Sequence, residues 1–177
     1  MKYFISDTHF FHENIIKFSN RPFEDVAKMN QTLISNWNAV IEQKDEVYIL
    51  GDFVVRGTGK QANEILEQLN GKKYLIKGNH EYYLDDPEFK NSYFEWIKDY
   101  YSFKYNKKTF VLFHYPILEW NGFYNDSIHL YGHVHHKKKE YLRNILGPRA
   151  INVGVDVNNF FPISLEQVLT IVKSREK

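Results

Sequence analysis

Short apolar runs alternate with amphipathic stretches through the first half of the chain. Lys2-Tyr3-Phe4-Ile5-Ser6, Glu46-Val47-Tyr48-Ile49-Leu50 and Lys73-Tyr74-Leu75-Ile76-Lys77 have the length and composition of buried strands. Between the first two, Val26, Met29, Leu33, Trp37, Val40 and Ile41 recur at three- and four-residue steps, which predicts an amphipathic helix over 25–43. A short helix over 13–18 precedes it, ended by Arg21-Pro22-Phe23. Ile65, Leu66 and Leu69 mark another over 60–69, closed by Asn70-Gly71. This strand–helix–strand–helix–strand order is that of βαβ units and a parallel sheet. The second half reads differently. Runs over 100–105 and 109–113 flank Asn106-Lys107-Lys108 and predict a hairpin. Strands follow near 127–131 and 150–153, and Ser164 caps a final helix to about residue 172, with Glu166-Gln167 in its first turn. The run Lys137-Lys138-Lys139 reads as a solvated loop face rather than a phosphate site.

Five of the strands share one peculiarity: each ends in a short polar cluster. The clusters are Asp7-Thr8-His9, Gly51-Asp52, Gly78-Asn79-His80, His114 and Gly132-His133-Val134-His135. Taken singly, most have a bland reading as turn chemistry or a surface histidine. Five in the same strand-end context describe a site along one edge of a sheet. Asp7 and His9 are alternate residues of a loop expected to be extended, so their side chains face one way. Asp52 has the chemistry to bridge two cations. Asn79 offers a neutral carbonyl oxygen, and the His80 imidazole next to it has the chemistry to act on a leaving group. His133 and His135 alternate after a strand and can reach two adjacent metals. Together the clusters supply ligands for two cations with one shared carboxylate.

Composition narrows the chemistry. The 177 residues suffice for one domain, and the chain has no cysteine, which excludes thiolate metal sites, disulfides and a cysteine nucleophile. Nitrogen and oxygen ligands suit manganese first, with iron, zinc, nickel or magnesium as alternatives. A formal net charge of +1 excludes bulk electrostatic binding of nucleic acid. Asp7 interrupts the first apolar run long before a signal peptide could form, and no run approaches membrane-spanning length. The expectation is a soluble, cytoplasmic protein without membrane partners.

The set Asp-x-His, Gly-Asn-His-Glu and Gly-His-x-His, with Gly-Asp and a lone strand-end His, resembles the calcineurin-like metallophosphoesterase superfamily from Asp7 to Asp156. The stretch Asp7-Thr8-His9-Phe10-Phe11-His12 through Arg21-Pro22-Phe23, with Trp37-Asn38 and Gly51-Asp52-Phe53, further resembles small bacterial and phage members. The resemblance implies an α/β fold: a single α/β/β/α sandwich over 1–177, with mixed sheets flanked by helices and a metal site at the carboxyl ends of strands. It implies two divalent metal ions, one held by Asp7, His9 and His135, the other by Asn79, His114 and His133, with Asp52 bridging. It implies hydrolysis of a phosphomonoester or phosphodiester by in-line attack of a metal-bridging hydroxide, with His80 near the leaving-group oxygen. One departure stands out. Where many members carry an Asp that orients this histidine, the chain has Val55, followed by Arg56, a candidate phosphate contact.

Other positions stay open. His12 either touches substrate or makes a structural hydrogen bond, and Arg21 either reaches the phosphate or caps the short helix. Asp156 and His129 are expected to be structural. Aromatics next to the ligand clusters (Phe10, Phe11, Tyr82, Tyr83, Trp120, Phe123, Tyr124) suit an apolar rim, and they keep a nucleotide or nucleic-acid end in play as partner. The alternative to an enzyme is a non-catalytic interaction protein on the same fold. Such a scaffold is expected to lose ligands, whereas every position is filled here.

Overall fold

The computed structural model describes residues 1–137 and 139–176, so Lys138 of the lysine run lies outside the described residues. The elements are β1 (Lys2–Ile5), α1 (Glu13–Phe18), α2 (Val26–Val40), β2 (Glu46–Leu50), α3 (Gly59–Gln68), β3 (Lys72–Ile76), β4 (Phe94–Lys98), β5 (Tyr100–Tyr105), β6 (Lys108–Phe113), β7 (Ile128–Tyr131), α4 (Lys139–Leu146), β8 (Ala150–Asn152), β9 (Ile163–Ser164) and α5 (Leu165–Arg175). One sheet has the order β4-β3-β2-β1-β9, parallel except for β9. The other has the order β5-β6-β7-β8, in which only the β5–β6 hairpin is antiparallel. Both sheets are mixed and flanked by helices, the architecture of a metallophosphoesterase.

Alternation along each strand builds three apolar layers. Ile5, Val47, Ile49 and Leu75 face Met29, Leu33 and Trp37 of α2 and Ala62 and Leu66 of α3. Phe4, Leu50 and Ile76 point the other way, onto Phe110, Leu112 and Leu130 of the second sheet; α5 contributes Val168 and Val172 to this layer. Val111, Tyr131 and Ala150 pack outward against Leu146 of α4 and Trp120. Trp37 is fully buried and its indole N–H donates to the Asn70 carbonyl at 3.0 Å. Truncating it to Ala costs about 3–5 kcal/mol by lost transfer and cavity.

The helices begin where the caps dictate. The Asp25 side chain accepts from the Lys28 N–H, and Thr58 and Ser164 each close a capping box with the glutamine three residues on. The α2 helix stops at Val40, short of the expected Gln43, because Ile41 turns extended and Asp45 captures the Glu42 N–H. Three elements were not expected: β4, the two-residue β9 and α4. No helix among the described residues is long and apolar enough to cross a membrane.

The topology decides where the chemistry falls. Parallel pairing of β1, β2 and β3, and of β6 with β7, brings their carboxyl ends to one edge. There the sheets are stitched together, with the Ser6 N–H donating to the Val153 carbonyl at 3.2 Å and the Val155 N–H to the Ser6 carbonyl at 3.0 Å.

Candidate metal centre

Five of the seven expected metal ligands leave their strands through a left-handed backbone. Asp7, His9, Asp52, His133 and His135 have φ of 57°, 52°, 55°, 68° and 51°. Each such residue without glycine's freedom costs on the order of 1 kcal/mol or more, and such conformations cluster at functional sites. This corrects the expected extended loop at Asp7-Thr8-His9: alternate left-handed residues, not alternate residues of an extended chain, bring the two side chains together. Two glycines permit the crowding. Gly51 has φ of 87°, and a Cβ there would lie 2.7 Å from the Gly78 Cα; a Cβ on Gly132 would lie 2.5 Å from Asp7 Oδ2.

The ligand-type side chains gather into two groups, Asp7 with His9 and His135, and Asp52 with His114 and His133; within each, the ligand atoms lie within 4.8 Å of one another. Asp52 stands between the groups. Its Oδ2 is 3.5 Å from His9 Nε2 and its Oδ1 3.6 Å from His114 Nε2. Asn79 Oδ1 completes the second group, 3.1 Å from His114 Nε2 and 3.0 Å from His133 Nδ1. The backbone fixes the carboxylates: Asp52 Oδ1 accepts from the Asn79 and His80 N–H groups, and both Asp7 oxygens accept from the His133 N–H at 3.0 Å.

The protonation pattern fits cations. His114 Nδ1 lies 2.7 Å from the Leu50 carbonyl and so carries the proton, which leaves Nε2 a bare lone pair facing the Asn79 oxygen. Two acceptors face each other favourably only with a proton or a cation between them. Burial holds His114 below the ordinary imidazole value, which argues against the proton. Among the described residues His9 Nε2 is buried without a hydrogen-bond partner, and burial with its cationic neighbours holds this ring well below the ordinary value. Burial also pushes Asp7 up to about 7; His135 opposes that shift and the Asp52 charge adds to it. Uncompensated lone pairs around two buried carboxylates are a donor set for divalent cations.

Behind the first group lies a network that the sequence reading missed. His135 Nδ1 is 2.6 Å from Asp156 Oδ2, and Arg21 grips Asp156 with both its Nε and Nη2 at 2.9 Å. Arg21 also donates to the Thr8 and Asp7 carbonyls at 2.8 and 2.7 Å. The Arg21 and Asp156 side chains are 0% and 2% exposed, so the Arg21 side chain does not reach a phosphate in the cleft, while its backbone N–H donates to the Ile16 carbonyl at 2.9 Å and closes the end of α1. The phosphate reading of Arg21 is corrected: its side chain ties the strained Asp7-Thr8-His9 turn to the carboxylate that orients His135. Burial works against a charged His135, yet the bond to Asp156 and the Asp7 charge hold it above the ordinary value. Asp156 follows a strand end like the other clusters, and that position was its one sequence signal.

His80 lies half-buried on the wall of a cleft that opens at His9 and His135. Val55 is buried, and among the described residues no carboxylate orients the His80 ring. His9 and Tyr82 flank it, with ring centroids at 5.8 and 6.2 Å. Its neighbour Glu81 is buried and accepts from the Phe53 and Gly78 N–H groups at 3.0 Å, so it clamps the two ligand loops together. Burial, reinforced by Asp52, pushes Glu81 up to about 8. His12 makes the structural hydrogen bond, its Nδ1 meeting His9 Nδ1 at 3.1 Å, and it also lines the cleft. Arg56 and Lys137 are exposed at the cleft. Of the aromatics expected at the site, Tyr82 and Tyr83 line it, whereas Phe10 is core and Trp120 and Phe123 pack with the outer layer. Phe18 lines it unexpectedly.

A sequence family described as calcineurin-like phosphoesterase matches residues 3–137. An uncharacterized protein of Methanocaldococcus jannaschii is 39% identical over 178 residues, covering 97% of this chain and 90% of its own length. The gene 66 protein of Mycobacterium phage D29 is 28% identical over 182 residues, 87% of each chain. Among solved structures, a protein of unknown function from Aquifex aeolicus superposes with a TM-score of 0.74 at 30% identity, over 97% of this chain and 98% of that one. The family match takes in every ligand from Asp7 to His135, and Asp156 lies beyond it.

Proposed function

Because the chain belongs to the calcineurin-like phosphoesterase family and is with it a metal-dependent phosphoesterase, we propose that it hydrolyses a phosphomonoester or phosphodiester at a dinuclear centre, manganese being the favoured metal. The observation that carries this reading is Asp52 standing between two groups whose free lone pairs converge on it. When bound, a pair of divalent cations supplies polarisation of the phosphoryl oxygens and a nucleophilic water at neutral pH. Asp7, His9 and His135 would hold one ion and Asn79, His114 and His133 the other, with Asp52 available to both.

The remaining work falls to the chain. Backbone N–H bonds to Asp52 and Asp7 hold the carboxylates before substrate arrives, so little reorganisation is needed as charge develops on phosphorus. His80 faces the cleft from beside this pair and donates a proton to the departing oxygen. No orienting carboxylate stands behind it, so His9 and Tyr82 on either side set its position. The Asp156–Arg21 pair directs His135 through its other nitrogen.

The test is hydrolysis of p-nitrophenyl phosphate and of bis(p-nitrophenyl) phosphate by the chelated protein before and after Mn²⁺ is restored. Turnover of at least one ester should appear with metal and vanish on chelation. No metal-stimulated turnover of either ester, with Mn²⁺ or with any of the alternative metals, sinks the proposal.

A further inference from the structure

The cleft beside the metal centre has a volume of 610 Å³, in the range of sites that enclose a whole small ligand rather than a phosphate alone. Its lining divides into three parts. His9, His80 and His135 form the end next to the ions. Phe18 and Tyr82 leave 61% and 72% of their surface in water on the same cleft. They arrive from separate segments, Phe18 from the end of α1 and Tyr82 from the turn after His80. Each leans edge-on against a cleft imidazole, Phe18 on His12 and Tyr82 on His80. Arg56 and Lys137 supply the third part, and none of the described residues lining the cleft is acidic.

Single exposed aromatics need no explanation on a protein surface. Two on one cleft, next to the centre proposed to hold a phosphoryl group, offer aromatic surface to a planar ring. The two cations are not general to the molecule, whose net charge is only +1. Arg56 is held in the left-handed region, φ 65°, and projects from the loop that follows Asp52. A simple aryl or lipid phosphate leaves Arg56 and Lys137 unused. A sugar phosphate or polyphosphate leaves Phe18 and Tyr82 unused. A nucleotide uses all four.

We propose, resting on the dinuclear phosphoesterase reading, that the substrate is a nucleotide with a second phosphate besides the one attacked. Its base stacks on Phe18 and Tyr82, and its second phosphate meets Arg56 and Lys137. Water supplies hydroxyl to phosphorus and a proton to the leaving oxygen as the P–O ester bond breaks, so no other co-reactant is needed. The same chemistry occurs in a free nucleoside bisphosphate and at the phosphorylated end of a short oligonucleotide.

The experiment measures kcat/KM of the Mn²⁺-loaded full chain for ribose 5-phosphate, adenosine 5′-monophosphate, adenosine 3′,5′-bisphosphate and a 5′-phosphorylated diadenylate. Adding the base should raise kcat/KM about tenfold or more. Adding the second phosphate should raise it severalfold further, an increment that shrinks with salt. Phe18→Ala with Tyr82→Ala should bring the base-dependent ratio toward one, and Arg56→Gln with Lys137→Gln the phosphate-dependent ratio. Preference for the bisphosphate or for the diadenylate identifies the source, and either supports the proposal. Equal kcat/KM for ribose 5-phosphate and both doubly phosphorylated nucleotides overturns it while leaving the phosphoesterase reading intact. Should nothing be turned over, calorimetric binding to the Mn²⁺-loaded His80→Asn protein decides: tighter binding of adenosine bisphosphate than of ribose 5-phosphate supports the proposal, and equal affinity ends it.

Discussion

The two halves of the metal centre use similar atoms and anchor them by different means. On one side Asp7 and His9 are almost wholly buried, and His135 is backed by a carboxylate that is itself clamped by an arginine. On the other side His114 is backed by a backbone carbonyl, and His133 and Asn79, both half-buried, brace each other through the amide oxygen. A carbonyl behind an imidazole fixes its tautomer. A carboxylate does that and also strengthens the ring as a donor to the metal. On the proposed two-ion reading, this carboxylate backing is what would make the first half-site hold its ion more tightly than the second.

The severest way to break this comparison is to remove what the halves share. Asp52→Asn should release both ions on dialysis and lower kcat/KM by roughly a thousandfold or more, read by elemental analysis alongside kinetics. His80→Asn removes no expected ligand from either half. It should lower kcat by about 10²–10³-fold while metal content stays near that of the parent, so a parallel loss of metal assigns His80 to the ligands instead. Asp156→Asn keeps the shape and removes the charge. It should weaken one ion about 10–100-fold and leave the other in place, seen as splitting of a two-step Mn²⁺ titration. Equal weakening of both ions shows that the halves are not separately anchored. The mildest change is Arg21→Lys, which loses the two-point grip on Asp156 but keeps a positive charge. We expect an effect on the same ion of about tenfold or less, with the second ion unmoved.

An acid titration sharpens the contrast from outside the centre. His129 is fully buried against Trp120, and burial pushes it down to about 4 against the hydrogen bonds its ring donates to the Val111 and Tyr115 carbonyls. Its native value lies below the unfolded one, so the unfolded chain binds the proton first as pH falls. Stability is retained above about pH 6.5 and is lost progressively toward pH 4, by roughly 3 kcal/mol from this group. Denaturant unfolding of metal-free protein at pH 7 and pH 4.5 should show the loss, and His129→Gln should reduce it.

Much of the fold and site was legible because period and chemistry agree. Strands β1, β2 and β3 carry uninterrupted apolar runs, and the clusters after them contain residue types that share one use. Other features were hidden for identifiable reasons. Strand β9 spans Ile163–Ser164, too short to show a period, and β4 pairs through Phe94–Lys98 beside a run of turns. The left-handed turns at Asp7, His9, His133 and His135 carry no glycine or asparagine to announce them. Asp156 and Arg21 are separated by 135 residues, and neither means much without the other. Val55 put the support of His80 in doubt, and among the described residues no carboxylate stands behind that ring; Glu81 next to it looked like part of a motif and not like a clamp between loops.

The central claim is a two-ion centre with unequal halves. Anomalous diffraction at the manganese edge, from crystals soaked at rising Mn²⁺, tests it most directly. Two peaks are expected about 3.5–4 Å apart on either side of Asp52, with the one at Asp7, His9 and His135 filling first. A single peak at saturation, or peaks away from these side chains, contradicts it.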